Sequence, residues 1–502
     1  MTTRRHFVAS TVAAGLAPSR LSARQQTPDA ELLEELIIDL SGAPDHLTPA
    51  TSYSTRDWSV IHSVYDSLVD FGPEGDIQPQ AAETFETDDA ITFRVKLREG
   101  MTFHDGTPVT TAAITRNVQH IQSSDTQISE LYDVIIDVRE IDDLNAEIIC
   151  AEPAVWLPSQ MVVWGVLLPE RYTDDSLATS PVGSGPYIFE EWVADSHITL
   201  VRNPDYPAGT PKGDPIADRV TYRFVPEAST RVADLSSGQA QIVAEIPHDQ
   251  IPGIEQSGNT AITSSMLGTA FIRIASDADP FGDPRVAQAL NYAVDVKSIA
   301  EALVSPEARR LASVFPDPRG IGFDESLEPF PFDPARAIEL LAEAGLADGI
   351  DAEIQVVAGS RIDVVEAVVA QLAEVGVRLS IVATELAGFN QDWPNDQAPP
   401  LRYATWRPMY DPFTFLRLLI NSEGFLSRYN NPTADELIAA GAIEPDPVTR
   451  NAIYQDLGRE LQNHPAAIYL WKLVSTVGSA ADLEGWQPRG DEYVLPLRRP
   501  QS

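Results

Sequence analysis

Ile354-Gln355-Val356-Val357, then Val364 to Val375, then Gly376, then Val377-Arg378-Leu379-Ser380-Ile381-Val382 is the stretch whose reading decides the fold. A short β-branched run is followed by an apolar run of helical length, a glycine stop and a second β-branched run. That order is strand, helix, strand, and such alternation argues for a parallel sheet covered by helices. Just upstream, Pro334–Ala344 reads as a helix closed by Gly345, a residue that accepts the left-handed conformation of a C-terminal cap. Farther upstream, Phe271-Ile272-Arg273-Ile274 reads as a strand opening a new unit near residue 270. Asp283 suits an N-cap, Pro284 a first helical position, and Val286, Ala289, Leu290 and Ala293 the buried stripe.

The N-terminal half alternates less regularly. Leu36–Leu40 reads as a first strand, followed by a polar segment, Ser41 to Asp57. Ile61, Val64, Tyr65 and Leu68 recur at helical spacing, and Ile91, Phe93, Val95 and Leu97 alternate with polar residues as in a half-buried strand. His104-Asp105-Gly106 marks a turn, and Thr110 and Thr111 are placed to cap a helix through Ile114 and Val118. Segments 131–150, 196–202 and 219–225 read as strands, and 229–237 as a helix. Pro181-Val182-Gly183-Ser184-Gly185-Pro186 carries too many prolines and glycines for regular structure and defines a tight crossing.

The chain has 502 residues, 43% of them apolar, and a formal net charge of −39. Its length exceeds a single hydrophobic core, so two or three lobes are expected. So acidic a surface repels phosphate backbones and anionic membranes, which argues against nucleic-acid and membrane binding. Solubility is the plain reading of the acidity. Lys96, Lys212, Lys297 and Lys472 are the only lysines, the remaining cations being arginine. Cys150 is the only cysteine, so no intrachain disulfide or thiolate metal cluster is available; it reads as a buried small hydrophobe.

Residues 1–23 read as a signal peptide: Thr3-Arg4-Arg5-His6-Phe7, a short apolar stretch from Val8 to Ala17, then Pro18, Ser22 and Ala23. The arginine pair resembles the twin-arginine export motif; an ordinary secretory signal with two arginines is the alternative. No cysteine lies near the cleavage region to carry a lipid, and no later run of about 18 apolar residues spans a bilayer. The expectation is an exported, soluble, periplasmic protein, monomeric by default.

Five segments in register carry a resemblance. They are Phe93 to Val109 (FRVKLREGMTFHDGTPV), Pro181 to Tyr187 (PVGSGPY), Asp283 to Asp295 (DPRVAQALNYAVD), Glu374-Val375-Gly376-Val377, and Ser427-Arg428-Tyr429-Asn430-Asn431-Pro432. Together they are similar to the extracellular solute-binding proteins of dipeptide, oligopeptide and nickel ABC importers, called family 5, over about residues 36 to 486. The resemblance implies an α/β, two-lobe periplasmic-binding-protein fold (large type II-like, cluster C) with an extra subdomain inserted in lobe I. Lobe I would comprise 31–50, 180–268 and 477–502, the insertion 51–179, and lobe II 269–476, with hinges near Gly268 and Thr476. It further implies capture of a small solute in the interlobe cleft, delivery to ABC permease subunits, and no enzymatic activity, cofactor or metal.

The resemblance also directs attention to candidate ligand-binding residues. Peptide-binding members place a Trp with an Asp three residues later, and that Asp pairs with the peptide ammonium. Here Trp406 matches the Trp, but Met409 stands in the Asp position. Arg407, Tyr410 and Asp411 lie alongside. Losing the carboxylate disfavours peptides, and Arg407 favours a ligand with an anionic or polar end, because its fork suits carboxylates. Arg407 turned toward a surface acid is the competing reading, as is Asp411 taking over the ammonium. Ser360 and Arg361 lie where α/β proteins bind ligands, at the carboxyl end of a strand. Ser360 with Asp363 also reads as a capping box. Tyr53, Ser54 and Trp58 follow the first strand in a loop that lines the cleft in relatives, and Phe315 lies in the loop 312–320.

Enzyme motifs are missing: no zinc-protease helix, no nucleophile elbow and no phosphate-binding glycine loop. Acidic pairs such as Asp88-Asp89 read as solvated surface, though a glycosidase-like carboxylate pair stays open. An ordinary peptide binder, a metal-chelate binder, and a peptide-binding chaperone or sensor are the rival classes.

Overall fold

The computed structural model describes residues 32–52, 54–72, 76–124, 126–393, 395–407 and 409–498. The expected signal peptide and Tyr53 lie outside them. One ten-stranded sheet runs through the whole molecule. Its strands are β1 (Leu33–Leu40), β2 (Tyr187–Val193), β3 (His197–Arg202), β4 (Ala217–Phe224), β5 (Ile242–Val243), β6 (Thr260–Ile274), β7 (Ile350–Val357), β8 (Val377–Thr384), β9 (Leu401–Trp406) and β10 (Ala467–Ser479), in the order β8-β7-β9-β6-β10-β5-β1-β4-β3-β2.

The decisive stretch forms as its pattern dictates. β7 and β8 pair in parallel from Ile350 opposite Val377 to Val357 opposite Thr384, with the helix Ile362–Glu374 between them. Val364, Val365, Val368 and Leu372 of that helix are fully buried against the sheet. Asp283 caps the helix Pro284–Tyr292 by accepting from Arg285 N at 2.9 Å, and Gly345 stands at φ +80° after the helix Pro334–Glu343.

Three expectations shift. The first long helix is Thr55–Val64, so Tyr65 and Leu68 lie beyond it; they are buried by tertiary packing, not by a helical stripe. Thr111 begins the helix Ala112–Gln122 without a side-chain cap, because its hydroxyl donates to Asp142 O instead. The strand expected at 271–274 begins at Thr260 and runs fifteen residues.

That long strand organises the molecule. The N-terminal part of β6 pairs with the end of β10, on the side of β5, β1 and β4; its C-terminal part pairs with β9 and the start of β10, on the side of β7 and β8. Between the two parts the ladder breaks: Ser265 faces Val474 and Thr269 faces Lys472, so 266–268 oppose Leu473 alone. The crossing expected near Gly268 falls inside this break, whereas Thr476 remains paired with Thr263. Gly268 has no room for a side chain, since a Cβ would meet Trp406 O at 2.6 Å and Arg407 Cβ at 2.9 Å.

Cores lie on both sides of the break. One gathers the helices Pro284–Tyr292 and Ile362–Glu374 on β7–β9. Another gathers Leu36, Ile38, Trp58, Tyr222 and the C-terminal residues Trp486 to Leu497 on β1 and β4. A four-stranded antiparallel sheet, built from Ala82–Glu86, Thr92–Leu97, Asn145–Cys150 and Ile135–Glu140, carries its own core, in which Cys150 is buried. The Pro181–Pro186 crossing packs backbone to backbone on the end of the helix Thr55–Val64, where Gly185 N donates to Val64 O at 2.8 Å.

Candidate functional site

At the break in the ladder Arg407, from the segment after β9, meets Glu492 of the C-terminal segment. The space beside the break is lined by Arg56, Ser59, Glu245, Met266, Ser475, Arg489, Glu492 and Tyr493, among others, and its volume of about 20 Å³ admits little more than a water.

Two of its glutamates have unusual backbones: Glu245 at φ +50° and Glu492 at φ +67°. Non-glycine residues in this region store local strain, and such residues concentrate at functional sites. Glu245 accepts from Ser41 Oγ at 2.7 Å. Glu492 is ion-paired with Arg407, which reaches across from the segment after β9. Burial pushes the Glu492 carboxyl up from its ordinary 4.5; Arg407 opposes that shift, and Glu245 and Asp491 reinforce it.

The sign of the pH dependence follows. A carboxyl raised in the folded state contributes stability below its ordinary value and loses it as pH rises through the raised one. Glu492→Gln is therefore expected to melt above the wild-type protein at pH 7 to 8, with the difference shrinking toward pH 4. Melting curves across that range check it, and a less stable variant at neutral pH would contradict it.

Beneath the space runs a buried ionic chain. Arg489 Nη2 reaches Asp491 Oδ2 at 2.6 Å and Asp70 Oδ1 at 2.9 Å, and Tyr410 OH donates to Asp491 Oδ2 at 2.6 Å. Arg489 and both aspartates are buried. Arg407 and residues 409–417 thus grip the other half at several points: Arg407 on Glu492, Tyr410 on Asp491, the Phe413 ring stacked on Trp156 with centroids 4.4 Å apart, and Arg417 on Glu130 at 2.5 Å.

The remaining sequence candidates are placed as follows. Trp406 packs edge-on against Phe415 at 5.5 Å. Asp411 forms a two-pronged ion pair with buried Arg450, at 2.6 and 2.9 Å, and accepts from Phe413 N; its carboxylate is committed locally. Arg361 pairs with Asp363 and donates to Leu303 O. The capping-box reading of Ser360 is corrected: the N-cap is Arg361, without a side-chain bond, and Ser360 is exposed in the preceding turn. Ser54 caps the helix Thr55–Val64, accepting from Asp57 N at 3.2 Å. Trp58 is a buried helical residue, not a loop residue; its indole donates to Ser52 O and packs on Trp164 and Tyr493. Phe315 is core, stacked on Tyr454. The structure therefore brings Arg407 and Tyr410 to the interface of the halves, together with residues the sequence reading missed: Arg56, Glu245, Arg489, Asp491 and Glu492.

A protein whose halves are joined at a break in two strands, with charged side chains meeting across the gap, has the architecture of a solute-binding protein. The family model for bacterial extracellular solute-binding proteins, family 5, matches residues 76–426. The chain belongs to that family. It is 25% identical over 453 residues to the glutathione-binding protein GsiB of Escherichia coli K12, covering 84% of this chain and 86% of that protein. Its fold matches the periplasmic binding protein DppA of Helicobacter pylori in complex with the peptide STSA at a TM-score of 0.81, with 20% identity over 92% of this chain and 97% of the other. It matches AgaA of A. tumefaciens R10 in complex with agropinic acid at 0.78, with 22% identity over 89% and 93%. The fold is thus the two-lobe periplasmic-binding-protein type, and the relatives are binding proteins, not enzymes.

Proposed function

We propose that this chain is the substrate-binding component of an ABC importer. It takes a small solute into the gap beside the strand break, without turning it over, and presents its closed form to permease subunits. Lobe I comprises 31–50, 180–268 and 477–502, the insertion 51–179, and lobe II 269–476. Export by residues 1–23 delivers it to the periplasm. Among the described residues no helix is long and apolar enough to cross a membrane.

The observation that carries the ligand reading is the mixed charge of the gap. Arg56, Glu245 and Glu492 line it, and Arg407 reaches it through its ion pair with Glu492, so the arginines offer forks to a carboxylate and the glutamates counter-charge to an ammonium. The ammonium partner lost at Met409 is thereby replaced from the opposite lobe. A small solute carrying an anionic end together with an ammonium group fits best, the chemistry of glutathione, of amino-acid conjugates and of short peptides. A metal chelate is the second reading. Among the described residues no group of three His, Cys, Asp or Glu is placed to hold a metal, so a metal would arrive inside a chelate whose carboxylates meet the arginines.

A thermal-shift panel on residues 24–502 tests this, with glutathione, short peptides with free amino termini, opine acids and Fe(III)-EDTA. A true ligand at a hundredfold excess over its Kd adds about 2.7 kcal/mol of stability. Arg407→Ala is expected to weaken that ligand about tenfold to a hundredfold, as expected for one lost charge-assisted hydrogen bond. A ligand whose affinity is unchanged by both Arg407→Ala and Glu492→Gln would sink the assignment.

A further inference from the structure

Lobe II contains a second charged cluster, remote from the gap. Arg273 on β6 and Arg402 on β9 stand directly opposite each other in the antiparallel ladder. Arg402 lies four residues before Trp406, roughly 13 Å along the strand from the gap. Like charges facing each other across strands destabilise a sheet, and here both are buried, at 1% and 0% exposure.

The neighbours satisfy these guanidiniums only in part. The Arg402 guanidinium lies over the Phe389 ring at 4.0 Å and the Trp393 ring at 4.3 Å, and Arg273 lies 5.2 Å from Trp393. Each arginine donates once to backbone: Arg273 Nη1 to Trp393 O at 3.2 Å, and Arg402 Nη2 to Phe389 O. Arg273 Nε and Nη2 and Arg402 Nε and Nη1 are buried without a hydrogen-bond partner among the described residues. Stacking covers the ring faces but leaves these in-plane donors unused. A buried guanidinium remains charged, and each unmet donor carries a desolvation cost.

The local charge does not balance. Arg428 adds a third cation beside the pair. Its own partner is Asp277, at 3.0 Å to each oxygen. Asp392 also interacts with Arg402, and it accepts from Gln355 and Asn395. Among the described residues that these arginines interact with, three cations meet two carboxylates, and four guanidinium nitrogens have no acceptor. Residues 386–393 and 395–400 roof them, held over the sheet by Phe389 and Trp393 and by Arg428 Nη1 donating to Ala398 O.

We propose that Arg273 and Arg402 bind a small singly charged inorganic anion beneath Phe389 and Trp393, at a site independent of the solute gap. One such anion cancels the unmatched charge, accepts from the free nitrogens and ties the roofing residues to the sheet. Chloride is the probe. At constant ionic strength, replacing gluconate by chloride is expected to raise the melting temperature of the wild-type protein saturably, by roughly 2–4 °C. Arg402→Met abolishes that rise, whereas Arg407→Ala in the gap leaves it intact. A chloride-independent melting temperature in the wild-type protein overturns the proposal, as does a rise that Arg402→Met leaves unchanged. Should Arg402→Met fail to fold, wild-type crystals soaked in bromide decide: an anomalous peak against Arg273 and Arg402 supports the site, and no peak there overturns it.

Discussion

Replacing Arg489 by methionine is expected to cost about 3–5 kcal/mol of folding stability, the loss found when one partner is taken from a buried ion pair. Arg489 bridges Asp70 and Asp491, with four of its contacts to them at 3.0 Å or less. It joins the C-terminal segment to residue 70, which precedes it by more than four hundred positions. Methionine fills much of the volume but leaves two carboxylates in a buried setting, and Tyr410, whose hydroxyl donates to Asp491, loses a fixed acceptor. Guanidinium unfolding measures the effect. The comparison is Arg94→Met, which removes the exposed Arg94–Asp88 pair and is expected to change stability by less than about 1 kcal/mol. A loss at Arg489 no larger than that at Arg94 would contradict the buried chain as a structural element.

Gly183→Ala is expected to cost about 3 kcal/mol, by overpacking rather than by conformational strain. A Cβ there would lie 2.1 Å from Val64 O, 2.7 Å from Val64 C and 2.9 Å from Tyr65 Cα. All three are backbone atoms at the end of the helix Thr55–Val64, so no side chain can swing aside. His104 holds the same crossing from the other face, its N donating to Gly183 O at 2.8 Å. The same exchange at Gly253 serves as control, since a Cβ there meets only Val232 Cγ1, at 3.6 Å. Within the helix Ile251–Gln256, alanine is intrinsically favoured over glycine by about 1 kcal/mol, so Gly253→Ala is expected to be neutral or stabilising. Urea unfolding of the two variants separates crowding from a general intolerance of alanine.

The sequence made the regular half of the fold legible and much of the site illegible, for physical reasons. Residues 350–384 could be read because β-branched strands, a helical apolar face and a glycine stop all point the same way. Thr260 to Ser265 could not, because that part of β6 is polar and half-exposed, and its pairing with β10 is set by residues two hundred positions away. Arg407 was legible as a cleft candidate because its neighbour Trp406 carries the family pattern. Asp411, Trp58 and Phe315 are chemically apt but are engaged by Arg450, by Ser52 O with Trp164, and by Tyr454; no spacing rule reports such commitments. Glu245 and Glu492 were missed because what marks them is a positive φ and the return of the C-terminal segment to the strand break. The Arg489-Gly490-Asp491 charge pair was the one local signal in that segment.

Cys150 is buried, and its thiol is pushed up to about 12 by burial, so it stays unreactive toward maleimides while introduced cysteines react. Donor and acceptor dyes at Ser237→Cys, in the proposed lobe I, and Asp348→Cys, in the proposed lobe II, both exposed, therefore report the interlobe distance by energy transfer. A solute which raises the melting temperature is expected also to narrow the distance distribution to a single short value, saturating at the same concentration, with Arg407→Ala shifting both curves together. A solute that stabilises the protein while leaving the interlobe distance distribution unchanged would contradict capture between the lobes.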